Sequence, residues 1–214
     1  MPIKVEGLTR IKEREKIFSV LMEAFEKYPR LTVAFPDQIR RQMIIEATLR
    51  HEVAYALRYG KAYSLDASCK DVIVLMDSRQ LEHTKWKEFL ARCNAGKYKS
   101  IIHRLTNQEN SCRSELFQEM ADMQSDLSFP SHFLYVNFLA VRTAYQKQGR
   151  GRLLLEEVIS YSEKTRIPLM LCTDRTDQVK FYQDLGFRAI GITSSKKYKY
   201  INTYLVREVH GGQC

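Results

Sequence analysis

The chain has few cysteines and no way of pairing them that the sequence makes evident. Cys69, Cys93, Cys112, Cys172 and Cys214 are odd in number and scattered, and no C-x-x-C pair occurs. Neither a disulfide framework nor a structural zinc site is expected from such spacing. Apolar runs are equally short, none approaching the roughly 20 residues that span a bilayer. The opening Met1-Pro2-Ile3-Lys4-Val5-Glu6 lacks the apolar core of a signal peptide. Together with reduced thiols, these absences predict a cytoplasmic protein with no membrane partner. Repeats and low-complexity linkers are also missing, so one domain over residues 1–214 is expected, with 1–130 and 131–214 as its two halves.

What is present describes a globular chain. Its 214 residues are 44% hydrophobic and 28% charged, enough to bury a core. The net charge is +9 and the pI about 9.3, a balance that favours anionic partners. The clusters at Arg40-Arg41, Lys97/Lys99 and Lys196-Lys197/Lys199 are small and dispersed, against the pattern of a nucleic-acid surface. No nucleic-acid partner is expected.

Helical spacing appears at Ile17, Leu21, Ala24, Phe25 and Tyr28, and Pro29 closes that segment. A second helix runs from an Asp37 N-cap through Ile39, Met43, Ala47, Val53 and Leu57 to Gly60. Short strands follow at 62–65 and 72–76. The stretch 81–125 is helical again. Trp86, Phe89 and Leu90 form one face, Leu116, Phe117, Met120 and Met123 another, and 106–113 reads as a loop. The aromatic residues Phe25, Tyr28, Phe35, Tyr55, Tyr59 and Trp86 are candidates for either a pocket wall or core. The last third is clearer. An apolar strand over 133–141 leads to a glycine turn and then to a helix over 150–164 with Leu154, Val158 and Tyr161 on one stripe. A strand at 169–172, a short helix at 178–184 and a closing hairpin over 187–207 complete an α/β pattern.

The turn Gln146-Lys147-Gln148-Gly149-Arg150-Gly151 carries the chemistry. Glycines between a strand and a helix let backbone N–H groups approach a phosphate, and the helix N-terminus adds positive potential there. Lys147, Arg150 and Arg152 add full charges. The turn is neither a Walker A loop, since no G-K-[ST] follows, nor a G-x-G-x-x-G fingerprint.

Leu139-Ala140-Val141, four residues, Gln146-x-x-Gly149-x-Gly151 and a Leu-rich helix resemble motif A of the GNAT acetyltransferase superfamily. Downstream, Phe181-Tyr182-Gln183-Asp184-Leu185-Gly186-Phe187 resembles that family's F-Y-x-x-x-G-F signature. The likeness covers roughly 133–207. It implies an α/β (α+β) acyl-CoA N-acyltransferase fold, with a central, mostly antiparallel mixed sheet flanked by helices and a splayed central strand pair. It also implies acetyl-CoA as acyl donor, an amine acceptor, no metal, and a monomer or homodimer. In the family the splayed strand holds the pantetheine arm, which here falls to Leu139, Ala140 and Val141. The backbone from Gln146 through Lys147, Gln148, Gly149, Arg150 and Gly151 to Arg152 is then the pyrophosphate cradle. Tyr182 matches the tyrosine that protonates the departing thiolate, and an ordinary phenol with pKa about 10 holds its proton at neutral pH.

Two positions depart from the family pattern. Gln178 stands where many members have a cofactor-contacting Asn, and Cys172 where many have a Glu. The general base is open between His132, at the mouth of the central strand, and the His51-Glu52 pair, with Cys172 as a nucleophile weighed and ranked below both. A small-molecule amine is expected as acceptor. A protein N-terminus or lysine, or a non-catalytic acyl-CoA sensor, are the competing readings.

Overall fold

The structure, a computed structural model, describes residues 3–26, 29–93, 95–124 and 127–209. Its elements are β1 (Thr9–Ile11), α1 (Arg14–Phe25), α2 (Pro29–Ala34), α3 (Gln38–Tyr59), β2 (Lys61–Ser64), β3 (Asp71–Asp77), α4 (Lys85–Ala91), α5 (Lys97–Arg104) and α6 (Asn107–Gln124). There follow β4 (Leu134–Val141), α7 (Arg150–Thr165), β5 (Leu169–Thr173), α8 (Thr176–Gln183), β6 (Arg188–Ser195) and β7 (Tyr200–Arg207).

The long helix α3 has the ends its sequence announces. The Asp37 carboxylate accepts from Arg40 N at 2.7 Å, and Gly60 N–H closes the last turn on Ala56 O at 2.7 Å. Ile39 departs from the expected stripe and is exposed, while Ile44, Ile45 and Leu49 are buried beside Ala47 and Val53. Pro29 opens the short helix α2 rather than only ending α1, as its fixed φ permits at a first helical position. The expected loop over 106–113 is instead the start of α6. Thr106 Oγ1 accepts from Glu109 N at 3.2 Å, and the Glu109 carboxylate accepts from Thr106 N at 2.7 Å, a reciprocal cap that the sequence T-N-Q-E encodes. Trp86, Phe89 and Leu90 on α4 are exposed rather than core. Tyr28 and the side chains of Phe117, Met120 and Met123 lie outside the described residues.

Seven strands form one sheet in the order β1-β2-β3-β4-β5-β7-β6. Every neighbouring pair is antiparallel except β4 and β5. β3 is buried on both faces, which is why its sequence is an unbroken apolar run. Val72, Val74 and Met76 pack with Ile17, Leu21, Ile45 and Val53 from α1 and α3. Ile73 and Leu75 pack on the other face with Leu154, Leu155 and Val158 of α7.

Two irregularities in the middle of the sheet create the site. Val74 pairs with Phe138 but Leu75 with Val136, so Asn137 is an extra residue that bulges β4. On its other edge β4 pairs with β5 only at Leu134–Leu169 and Tyr135–Met170, whereas β5 stays paired with β7 from Leu169 to Thr173. Beyond Tyr135 the two parallel strands part, and the β5-facing backbone of β4 has no ladder partner among the described residues. The central mostly antiparallel sheet with a splayed strand pair is thus the observed fold. No helix among the described residues is long and apolar enough to cross a membrane.

Candidate active site

A cavity of about 680 Å³ occupies the opening between β4 and β5. Its floor is β4 from Tyr135 to Val141, and one end is the turn into α7. β5 and α8 close one side through Leu171, Cys172, Gln178 and Tyr182, and α1 and α3 close the other through Phe25, Thr48, Leu49 and Glu52.

The turn after β4 is held from several directions. Arg142 donates to Glu23 Oε2 at 3.1 Å and to Ser19 Oγ at 2.7 Å, and Thr143 N donates to Glu23 Oε1 at 2.6 Å. Gln146 Nε2 reaches back to Val141 O at 2.9 Å. The chain then passes through two left-handed residues, Lys147 (φ 58°) and Gly149 (φ 77°), before α7 begins. A Cβ on Gly149 would meet nothing within 4 Å, so this glycine is required by its backbone angle and the space before it is open. A Cβ on Gly151 would touch only Val141 Cγ2, at 3.8 Å. The first helix N–H groups, at Arg150, Gly151 and Arg152, lack intrahelical acceptors, as in any α-helix. They border the same cavity, beside the open edge of β4. A phosphate at a glycine-lined helix N-terminus and an amide-bearing arm along an unpaired strand edge both fit these surroundings.

The charges around the turn differ from the sequence reading. Arg150 does not offer a free guanidinium: its Nε donates to Asp71 and its Nη2 donates to Asp66 Oδ2 at 2.8 Å. Asp71 is fully buried and also accepts from Ser64 Oγ and Leu65 N, each at 2.9 Å. Arg150 is therefore spent on neutralising a buried carboxylate, and what it brings to the cradle is its backbone N–H. Lys147 and Arg152 remain exposed, with Arg152 3.6 Å from Glu156.

Leu139, Ala140, Val141, Gln146, Lys147, Gly149, Arg150, Gly151, Arg152, Gln178 and Tyr182 all line the cavity. Gln148 is exposed outside it, with its amide on Ala144 O at 3.2 Å. His132 is outside as well. It precedes β4 at the end where the strands are still paired, and its Nε2 is 3.1 Å from Asp77 Oδ2. That geometry removes it as the base for chemistry in the cavity. Of the other candidates Glu52 reaches the cavity wall, and so does Cys172. The aromatic residues divide between wall and core. Phe25 is a wall residue set edge-on to Phe138 at 5.6 Å, Phe35 and Tyr55 are buried, and Trp86 is exposed.

Tyr182 is buried between Phe181 and Phe187, with ring centroids at 5.1 and 6.0 Å. Loss of hydration raises its phenol to about 12, with nearby Arg175 opposing the shift. The group therefore stays protonated well above neutral pH.

Asn137, Thr48 and Asp174 also line the cavity and escaped sequence reasoning. Asp174 follows the carboxyl end of β5, a position where α/β sheets commonly place ligand contacts, so its location was the available signal. Thr48 Oγ1 is buried without a hydrogen-bond partner. Nothing in the helical pattern of α3 marks it.

A split parallel pair, a glycine-capped helix at its mouth and a buried phenol beside it are the features of an acyl-CoA-dependent acyltransferase fold. Residues 117–201 match the profile of the acetyltransferase (GNAT) domain family. No curated protein matches the sequence significantly. Among solved structures, the chain is similar to a histone acetyltransferase HPA2 and related acetyltransferase from Corynebacterium glutamicum, with a TM-score of 0.63 at 14% identity over 98% of this chain and 100% of that one. It is similar to the C-terminal condensation domain of Ebony in complex with beta-alanyl-dopamine, with a TM-score of 0.58 at 7% identity over 94% and 98%. It is also similar to the ribosomal-protein-S18-alanine N-acetyltransferase from Escherichia coli, with a TM-score of 0.53 at 12% identity over 96% and 95%. Identities this low speak to the fold. Residues 117–201 thus carry the likeness to the GNAT acetyltransferases, and the chain shares the fold of these structures.

Proposed function

We propose that this protein is an N-acetyltransferase that moves an acetyl group from acetyl-CoA directly to the primary amine of a small molecule. One observation carries the reading: a single cavity runs from the glycine turn of α7, along the unpaired edge of β4 and past Tyr182, to a wall built by α1 and α3.

Acetyl-CoA would supply the activated thioester carbonyl. The backbone N–H groups at the start of α7 bind its pyrophosphate, with Lys147 and Arg152 adding attraction from solvent. The open edge of β4 at Leu139–Val141 holds the pantetheine amides and polarises the carbonyl through a backbone N–H. Gln178 contributes an amide contact from α8. Tyr182 gives its proton to the sulfur as the thiolate leaves. On the acceptor side, Phe25 and Leu49 offer an apolar surface, while Glu52 draws in the ammonium group and Thr48 can accept from it.

Neighbours of this fold include one bound to a derivative of a small amine and one named for a protein acceptor, so the fold alone does not choose. The recessed, largely apolar acceptor wall with one carboxylate favours a small amine. Residues 1–130 contribute that wall and 131–214 the donor half. Cys69, Cys93, Cys112 and Cys172, none of them in a disulfide among the described residues, suit a reducing, cytoplasmic address.

The test is calorimetric titration with acetyl-CoA, comparing the natural protein with Gly149→Glu. A side chain there enters the open space of the cradle, places a negative charge against the pyrophosphate and occupies a left-handed backbone position. Micromolar binding weakened at least a hundredfold in the folded variant supports the donor site. Absence of binding by the natural protein refutes the proposal.

A further inference from the structure

We infer a divalent transition-metal site, of the kind that takes Zn²⁺, between α3 and α4 at the back of the acceptor wall. Its ligands are His51 and Glu52 of α3 and His83 from the segment before α4, with Glu88 of α4 against the other nitrogen of each ring. The inference does not rest on the acetyltransferase reading, although it shares Glu52 with the acceptor wall, where a bound ion would take that carboxylate in place of an ammonium group.

One ligand atom each from His51, Glu52 and His83 lies within 4.8 Å of the other two. The individual approaches are shorter. His51 Nδ1 is 3.3 Å from Glu52 Oε1, and His83 Nε2 is 4.0 Å from Glu52 Oε2. Glu88 Oε1 is 3.5 Å from His51 Nε2 and 3.6 Å from His83 Nδ1, the other nitrogen of each ring, so it orients both imidazoles from behind as a supporting carboxylate. Zn–N and Zn–O bonds of about 2.0–2.1 Å at tetrahedral angles separate ligand atoms by about 3.4 Å. The two spacings to Glu52 bracket that value and all three ligand atoms lie within 4.8 Å of one another, so rotations of side chains are what coordination asks.

The ligands are also set in place before any ion arrives. His83 is stacked on Tyr55 at 3.6 Å between centroids, with the planes 17° apart. Tyr55 is itself buried and donates to Glu82 O at 2.6 Å. His51 lies against His83 at 5.7 Å and Tyr98 at 5.4 Å. The four side chains are 15–29% exposed, which shields them while leaving an entry path. Two imidazole nitrogens and a carboxylate oxygen, with a second carboxylate behind the rings, make a mixed nitrogen and oxygen set that suits zinc.

The ion would tie the segment before α4 to α3, and because Glu52 also lines the cavity it would fix the acceptor wall. Neither the cysteine spacing nor the family resemblance, from which no metal is expected, concerns these four side chains.

The experiment uses the full chain, freed of metal with a chelator and exchanged into buffer at pH 7.5. Zn²⁺ is titrated by calorimetry, and Co²⁺ by its visible d–d absorption. The natural protein should bind one equivalent, give the intense bands of low-coordinate cobalt, and melt at a higher temperature with Zn²⁺. His83→Ala and, separately, His51→Asn should each weaken Zn²⁺ binding at least tenfold while melting without metal near the natural protein. Absence of binding by the natural protein overturns the site and leaves the cluster as ion pairs. Binding unchanged in both variants also overturns it, because the ion is then held elsewhere.

Discussion

At the scale of single residues, two side chains named for charge or chemistry behave according to what surrounds them. Arg150 stands in a basic turn, yet the fully buried Asp71 takes its guanidinium. A buried carboxylate without a partner costs several kcal/mol, whereas a phosphate at a helix start can be served by N–H groups and the exposed Lys147. Tyr182 is the opposite case, where burial strengthens the expected role. An ordinary tyrosine would already be protonated at neutral pH, and its desolvated phenol, raised to about 12, keeps the proton across the working range. Tyr182→Phe should therefore lower kcat about a hundredfold, with the KM for acetyl-CoA within about twofold of the natural value. Steady-state kinetics on any accepted amine measures this, and an unchanged kcat would assign the tyrosine to packing alone. The placement of His132 follows the same logic: only the pairing of β3 with β4 brings Asp77 to its ring.

At the scale of elements, strong periodicity and clear caps made a helix legible, and shortness or mixed polarity hid it. α3 and α7 have apolar stripes and recognisable ends, and their sequence boundaries match the structure within a residue or two. β1, with three residues, is too short for an alternating pattern to register. The first turns of α6 are polar throughout and resemble a loop, although Thr106 and Glu109 carry the reciprocal cap. Glu109 also receives Arg40 from α3, so this cap is tied to a second helix. Thr106→Ala should destabilise the protein by about 1 kcal/mol, read from the midpoint of urea unfolding with an unchanged m-value. No shift in midpoint would mean that Glu109 and Arg40 hold the start of α6 without the hydroxyl.

At the scale of the molecule, stability in acid should follow carboxylates engaged in tertiary pairs. Glu109 is lowered to about 2, chiefly by its bond to Arg40, and Asp66 to about 2 by the Ser68 hydroxyl and then Arg150. Because the folded values lie below the ordinary ones near 4, these groups stabilise the fold fully above about pH 4. The contribution is lost as pH falls toward 2. Melting temperature should drop between pH 4 and 2, less steeply in Arg40→Gln, which already lacks one of the pairs. Equal slopes for the two proteins would remove this ion pair as a source of acid sensitivity.

Local sequence determined much of this architecture. The apolar strand, the glycine turn, the Leu-rich helix and F-Y-x-x-x-G-F each depend on spacing along the chain, so strand, turn and helix could be read together with the family likeness they carry. What tertiary structure alone decided was how those pieces meet. The bulge at Asn137 and the parting of β4 from β5 depend on registers set by non-adjacent strands. The same is true of the buried pair between Arg150 and Asp71, and of the meeting of His51 and Glu52 with His83 and Glu88. Such contacts join residues far apart in sequence, and their energies follow from burial and distance, which no local pattern records.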